Sequence, residues 1–302
     1  MNGHNELSPV SDHSLSRRYA RQRNRRLRIV VMKPTCISHQ TTWKRHVSRA
    51  GERAVPEEVA IALTYNGGSY AVMMATPQDL EDFAYGFSLT EGIISSATDI
   101  QTFELIEQDL GIELRLWLTN NAGSAYVERR RRLAGPTGCG LCGIESLEEA
   151  VRSPRRIDRS ITFRATDIMR ALDALAPAQI MNQQTRAMHA AAFCRLDGSL
   201  VTLREDVGRH NALDKLAGAL ARNATKAAEG FVVITSRVSV EMVQKAAAIG
   251  VPLIVAVSAP TALAVRMAEQ AGITLACVAR SDGFEVFSHS EGIEPATDSL
   301  VA

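Results

Sequence analysis

The 302-residue chain has one Cys-x-x-Cys pair, Cys139 and Cys142, and lacks a second to go with it. A structural zinc site takes four ligands, usually as two such pairs or as a pair with two histidines at finger spacing. Cys36, Cys194 and Cys277 stand alone, and His189 and His210 do not show that spacing, which argues against zinc. Five cysteines are an odd number without framework spacing, so a disulfide-stapled secreted domain is excluded and a reducing compartment is favoured. No apolar run approaches the roughly 18 residues of a transmembrane helix. A secretory signal needs an apolar stretch of about 7 to 15 residues, and Ile29 to Met32 is too short and flanked by charge. Arg25-Arg26 before it is a poor twin-arginine signal. Charge of one sign is also missing overall, since the net charge is +1. These absences point to a cytoplasmic protein with neither a membrane nor a nucleic-acid partner.

What is present is 46% hydrophobic residues, ample for real cores, in a length that can hold two domains. A run from Arg17 and Arg18 through Arg28 to Lys33 makes residues 1–48 read as a basic, disordered tail. Folding signals follow. Glu58 to Tyr65 and Ser69 to Ala75 flank the turn dipeptide Asn66-Gly67 as a hairpin. Thr76-Pro77 is expected to open a helix, Thr as N-cap and Pro in the first turn, carrying Leu80, Phe83, Ala84 and Phe87 to Gly92. Phe103 to Leu118 reads as two strands about Asp109-Leu110-Gly111. Residues 49–135 are therefore a small α+β domain. Glu91 at the end of its helix reads as a solvated carboxylate.

The second half has another rhythm. Thr166 to Leu175 is an amphipathic helix, Ala190 to Leu196 and Leu200 to Arg204 are a hairpin about Asp197-Gly198, and Asn211 to Leu220 is a further helix. Two strand-loop-helix units follow, Phe231 to Thr235 into Val240 to Ile249, and Pro252 to Val257 into Thr261 to Ala271. Ile273 to Ala279 and Phe284 to Phe287 close the sheet. Residues 136–290 thus form an α/β layered domain with helices on both sides of a mixed sheet, and 291–302 a C-terminal tail.

Chemistry concentrates at Gly138-Cys139-Gly140-Leu141-Cys142-Gly143. Glycine leaves no side chain over the sulfurs, so another macromolecule can reach them. Only a thiolate attacks or carries sulfur, and the arginines at 129–132, a second thiol and a helix from Glu145 to Arg152 can each lower a cysteine pKa. A thioredoxin-like dithiol has the same spacing but belongs at a strand-to-helix turn with bulky intervening residues. An inert reduced pair in a loop is the plain alternative.

Ligands of open α/β sheets bind beyond the carboxyl ends of the strands, where loops lead into helix N-termini. Ser236-Arg237-Val238-Ser239 offers a cation and two hydroxyls at such a place, and Ser258-Ala259-Pro260-Thr261 offers hydroxyls without a competing carboxylate. Both suit a phosphate-bearing ligand, although Ser and Thr also cap helices for stability alone. The string Arg204-Glu205-Asp206-Val207-Gly208-Arg209-His210-Asn211-Ala212-Leu213-Asp214-Lys215 is dense for a connector. Asp206 or Asn211 reads as a cap and Asp214 with Lys215 as a solvated face, while Arg209 and His210 are candidates to hold a phosphate or an anionic sulfur.

The cysteine motif, the Glu205 to Leu216 string, the hairpin and helix from Tyr65 to Gly92, and the Ser236 to Pro260 units together resemble the FdhD/NarQ sulfurtransferase family of formate dehydrogenase accessory proteins, over about residues 50 to 290. The resemblance implies a cytoplasmic sulfur carrier that accepts persulfide sulfur from a cysteine desulfurase. The sulfur then passes to molybdenum bis(molybdopterin guanine dinucleotide) before that cofactor enters formate dehydrogenase. It also implies a homodimer. Carried over, Cys139 is the persulfide carrier and Cys142 its helper. The cofactor segment falls on Val278-Ala279-Arg280-Ser281-Asp282-Gly283, with Gly283 where a second basic residue is expected. Thr185 to Ala191, which contains His189, aligns with a stretch that is glycine-rich after the threonine, and Arg186 and Ala187 depart from that form.

The family's larger domain is similar in fold to cytidine deaminases. A zinc deaminase needs His-x-Glu followed by Pro-Cys-x-x-Cys, whereas here the order is reversed and His189 is followed by two alanines, so hydrolytic deamination is not expected. Attack by Cys142 on the Cys139 sulfur of a persulfide would release sulfide and leave a disulfide. The rival class is a cofactor-binding chaperone that presents the molybdenum cofactor without moving sulfur. A redox or zinc-dependent regulator is a third.

Overall fold

The computed structural model describes residues 32–134, 154–157 and 161–294. The tail expected to residue 48 gives way to structure from residue 35. Thr35–Lys44 (β1) and Val47–Pro56 (β2) pair in antiparallel register along their whole length and turn at Arg45, whose φ of 53° is left-handed. Thr41, Thr42, Trp43 and Val47 are strand formers, but the segment buries almost nothing and so carries no core signal.

Val59–Tyr65 (β3) and Gly68–Ala75 (β4) form the expected hairpin. Its turn residues Asn66 and Gly67 both have positive φ, at 50° and 80°, as a two-residue hairpin turn of the Asn-Gly kind requires. Ile100–Gln108 (β5) and Gly111–Leu118 (β6) complete a four-stranded sheet of order β4-β3-β6-β5. Its inner face, with Ile61, Leu63, Leu114 and Leu116, is sealed by Phe83 and Phe87 of the helix Leu80–Thr90 (α1). That helix starts later than Thr76-Pro77 suggests. Asp79 is its N-cap, and Thr76 is buried and spent on long-range hydrogen bonds instead. An unanticipated helix, Asn120–Ala134 (α2), follows β6 and places Tyr126 against Tyr65, ring centroids 5.4 Å apart.

Phe163–Arg164 (β7) leads into Ala165–Ala178 (α3) and the short Ile180–Thr185 (α4). Then come His189–Arg195 (β8), Leu200–Asp206 (β9), Arg209–Arg222 (α5), Gly230–Ile234 (β10), Val240–Ile249 (α6), Leu253–Ala256 (β11), Ala262–Ala271 (α7), Thr274–Arg280 (β12) and Gly283–Ser288 (β13). The second sheet has six strands in the order β13-β12-β11-β10-β8-β9, with β10, β11 and β12 mutually parallel and their flanking partners antiparallel. Every residue of β10 and β11 is buried, as expected of strands covered on both faces, and both are correspondingly continuous apolar runs. Ile168, Ala171 and Leu175 of α3 cover one face, while α5, α6 and α7 cover the other. The mixed α/β fold thus matches the expectation. Where a tail from residue 291 is expected, Ile293–Glu294 (β14) pairs in parallel with β7.

The two sheets meet through α1 and α5, which cross at glycines. A Cβ on Gly86 would lie 1.6 Å from the Asp214 carbonyl oxygen, and one on Gly218 would lie 1.8 Å from that of Asp82. With the backbones this near, Asp214 and Lys215 are interior rather than a solvated face, at 1% and 0% exposure. Gly218→Ala should therefore destabilise the protein. An exposed helical glycine gains about 1 kcal/mol from alanine, but here the methyl forces the helices apart, and overpacking of this kind costs roughly 1–3 kcal/mol or more. A lower midpoint of thermal unfolding is expected, and a higher one would contradict the close crossing.

Candidate anion-binding edge of the second sheet

The carboxyl ends of β9, β10, β11 and β12 lie at one edge of the second sheet, together with the first residue of the antiparallel β8. This edge gathers His189, Arg209, His210, Ser236, Arg237 and the Val278 to Gly283 segment, which sequence places far apart. Cys139 and Cys142 lie outside the described residues, as does the helix expected from Glu145 to Arg152.

One buried carboxylate sets the path of the chain into α5. Asp206 accepts hydrogen bonds from the Gly208 N–H at 2.7 Å, the Thr76 N–H at 3.0 Å and the Asn211 amide at 3.0 Å, and it pairs with Lys215 Nζ at 2.6 Å. Lys215 Nζ also donates to the Thr76 carbonyl at 2.9 Å. Burial pushes Lys215 below the usual ammonium range against the pull of Asp206. Neither Asp206 nor Asn211 is the helix cap that sequence suggests: Gly208 is the N-cap and receives no side-chain cap, while Asp206 fixes the turn that leads into it. Asn211 donates to Asp206 and to the Met74 carbonyl. Next to it, Lys245 Nζ reaches Asp214 at 3.0 Å and Glu91 at 2.9 Å. Glu91 is accordingly half of an ion pair rather than a free carboxylate.

Held in this way, α5 presents Arg209 and His210. His210 Nε2 lies 3.2 Å from Glu241 Oε2, which also accepts the Ser239 hydroxyl at 2.9 Å. Burial, then the charge of Arg209, holds His210 below the ordinary imidazole range despite Glu241. Burial, again followed by Arg209, lowers His189 as well, against the opposing pull of Asp206. Burial pushes Glu241 up, but the Ser239 hydrogen bond and the charges of His210 and Arg209 outweigh it, leaving it below the usual carboxylate range. Arg209 Nε is buried without a hydrogen-bond partner among the described residues. A buried donor left unsatisfied costs roughly 1–3 kcal/mol, and an acceptor oxygen entering here would relieve it.

On the neighbouring loops, Ser236 is buried and donates to the Arg237 carbonyl at 3.0 Å, whereas Arg237 itself is exposed. The loops after β10 and β11 join at an isolated parallel bridge between Val238 and Pro260. Thr261 caps α7 by accepting the Ala264 N–H at 3.2 Å, which is the plain stabilising role for that loop. In the β12–β13 segment, Val278 has φ 54°, left-handed and costly for a β-branched residue. Its N–H donates to the Ser258 carbonyl at 3.2 Å, and Arg280 folds back onto the Val257 and Ala279 carbonyls, so the segment is anchored to the end of β11. Ser281 and Asp282 form the exposed turn, and Gly283 has nothing within 4 Å of a Cβ position. Arg186, where a glycine is expected, is left-handed at φ 55° as the C-cap of α4.

Sequence gave no sign of the Asp206 to Thr76 linkage, because the partners are 130 residues apart. Cys194 and Cys277 lie inside the sheet, and burial pushes both thiols up to about 12. Cys36 is exposed on β1.

A model of the FdhD/NarQ family matches residues 56–294. The sulfur carrier protein FdhD of Agrobacterium fabrum is 50% identical over 255 residues, which span 84% of this chain and 94% of that protein. The sulfur carrier protein FdhD of Brucella abortus is 51% identical over 252 residues, 83% of this chain and 94% of its own. Among solved structures, that of a candidate formate dehydrogenase accessory protein from Desulfotalea psychrophila superposes with a TM-score of 0.69 at 22% identity, covering 87% of this chain and all of that one. At that identity the likeness is one of fold.

The Asp206 hub yields a test. In Asp206→Asn, Lys215 keeps a buried charge without a counter-charge, a loss of roughly 3–5 kcal/mol by comparison with other broken buried pairs. Urea unfolding should register it. Adding Lys215→Met should recover only part, because the Thr76 and Gly208 N–H groups still lack their carboxylate. Full recovery would reduce Asp206 to a counter-ion.

Proposed function

The chain belongs to the FdhD/NarQ family, and on that basis we propose that it is a sulfur carrier serving formate dehydrogenase. In this reading a cysteine desulfurase loads a persulfide on Cys139. The sulfur then passes to molybdenum bis(molybdopterin guanine dinucleotide), which is the substrate, before the cofactor enters the enzyme. The observation that supports it is the convergence at one sheet edge of Arg209, with its Nε unsatisfied among the described residues, two imidazoles, Ser236, Arg237 and the strained Val278 to Gly283 turn. Cations beside helix N-termini suit a ligand that carries phosphates.

The transfer step balances without an outside oxidant. The Cys142 thiolate attacks the Cys139 sulfur of Cys139–S–SH, the S–S bond breaks, and hydrosulfide leaves toward molybdenum. The two cysteines become a disulfide, so the outer sulfur is reduced by two electrons as the thiols are oxidised. A dithiol reductant resets the pair. At the ligand edge the chain's own part is to bind and orient: Arg209 and Arg237 meet phosphate oxygens, while Glu241 fixes the imidazole of His210.

Incubation with a cysteine desulfurase and cysteine should add one sulfur to the intact mass. Cys36 is exposed and is replaced by serine throughout to remove its background. Cys139→Ala should abolish the gain and also formate dehydrogenase maturation. No gain in any form would leave the chaperone reading in its place.

The imidazoles supply an independent test of the edge. Both are held below 6.5 in the folded chain, so the unfolded chain binds more protons as pH falls through that value. The stability owed to neutral histidines is therefore present above about 6.5 and lost as pH drops. A bound polyphosphate favours the charged form instead. Inorganic pyrophosphate should raise both titration midpoints read by NMR, and no movement of either would remove the histidines from the binding surface.

A further inference from the structure

The β1–β2 ribbon is left without cover. Every residue from 41 to 53 is exposed. Its base is tied down by the Glu57 N–H on the Pro34 carbonyl at 2.8 Å and by Arg53 Nη2 on the Thr185 carbonyl at 2.9 Å. At about 3.4 Å per residue, the seven steps from Arg53 back to His46 carry the turn roughly 24 Å from that anchor. A two-stranded ribbon without a third layer is marginally stable in water, so a second surface against it would stabilise it.

The tip joins two kinds of residue. Trp43 and Val47 are 72% and 68% exposed. They leave the ribbon on opposite faces, because Trp43 pairs with Ser48 and Lys44 with Val47 in register. Between and beside them stand Lys44, Arg45, His46 and Arg49, and no carboxylate occurs from Gln40 to Gly51. Glu52, the next along, lies back on the stem and is spent on His39 at 3.5 Å. The sequence that leads into β1 has the same sign, with eight cations and no carboxylate from Arg17 to Lys33.

An exposed indole among cations fits a lipid surface. Trp favours the boundary between headgroups and acyl chains, and Lys and Arg are drawn to anionic headgroups. Their long stems cross apolar surface while the charge stays at the phosphates. A nucleic-acid duplex would satisfy the cations alone and leave Trp43 and Val47 facing water. The expectation of no membrane partner rests on the lack of a spanning run. Among the described residues no helix is long and apolar enough to cross a bilayer, but that absence has no bearing on a hairpin seated on one side of it. We propose that the Trp43 to Val47 turn of the ribbon seats itself in the headgroup layer of an anionic membrane. Trp43 and Val47 enter the acyl boundary, while Lys44, Arg45 and Arg49 meet lipid phosphates. This attachment is independent of the sulfur-carrier reading.

Flotation of the full chain with vesicles tests it. Vesicles of equal parts phosphatidylcholine and phosphatidylglycerol should carry the protein up a sucrose gradient, phosphatidylcholine alone should not, and added salt should release it. The chain has two tryptophans, so in a Trp117→Phe background the emission is that of Trp43. It should move to the blue on binding and be quenched by lipids brominated on their acyl chains. Trp43→Ser and Arg45→Glu should each raise the vesicle Kd about tenfold, with the melting temperature unchanged because both side chains are exposed. Should Trp43→Ser lower it, Arg45→Glu alone decides. Flotation by the basic segment before β1 would leave the emission and quenching of Trp43 unmoved, and that result overturns the proposal. So does a failure to float with the anionic vesicles, or binding that ignores both variants. If Trp43→Ser loses as much affinity for a DNA duplex as for vesicles, the turn is a nucleic-acid surface and the membrane assignment falls.

Discussion

The contact of Gly86 with Gly218 is the constraint on which the rest depends. Two helices from different sheets approach until backbone meets backbone, and no other residue pair would allow it. Once they are that close, the flanking positions are interior, and side chains there must find partners across the crossing. Arg204 and Arg222 meet Asp82, while Lys245 meets Asp214. Buried charges are tolerable only when paired and hydrogen-bonded, and these are. The glycines therefore dictate not only a distance but also the charge pattern of α1, α5 and α6.

The same crossing brings the end of β4 to the start of α5. Thr76 offers its N–H to Asp206 and its carbonyl to Lys215, so one residue of the first sheet's exit loop is held at both polar groups by an ion pair of the second unit. The geometry of Gly208, Arg209 and His210 follows from that hold. The edge that gathers the cations is thus built from both halves of the chain, although all of its exposed groups come from the second half.

Much of the fold is legible in sequence because hydrophobic period and turn chemistry agree. Asn66-Gly67, Asp197-Gly198 and the continuous apolar runs at Phe231 and Leu253 each name their element. The gathering of the loops after β10 and β11 at one edge is legible too, since loops after buried parallel strands have few places to go. Three features are not. Asp214-Lys215 looks like a wet helix face because sequence records the charges but not the partners that neutralise them. Thr76-Pro77 looks like a helix start because the residue types suit one, but the threonine's hydrogen-bonding groups are claimed by residues 130 and more positions away. The β1–β2 ribbon looks like tail because it has no buried face, and burial is what gives a strand its pattern.

Cys194 and Cys277 sit within β8 and β12 with thiols raised to about 12. At neutral pH such thiols stay protonated, and the thiolate is the form that reacts. The two thiols of the framework under this edge are therefore held back from thiolate chemistry by burial. A protein that handles labile sulfur needs that insulation, because any competing thiol within its own core would divert the cargo into a dead end.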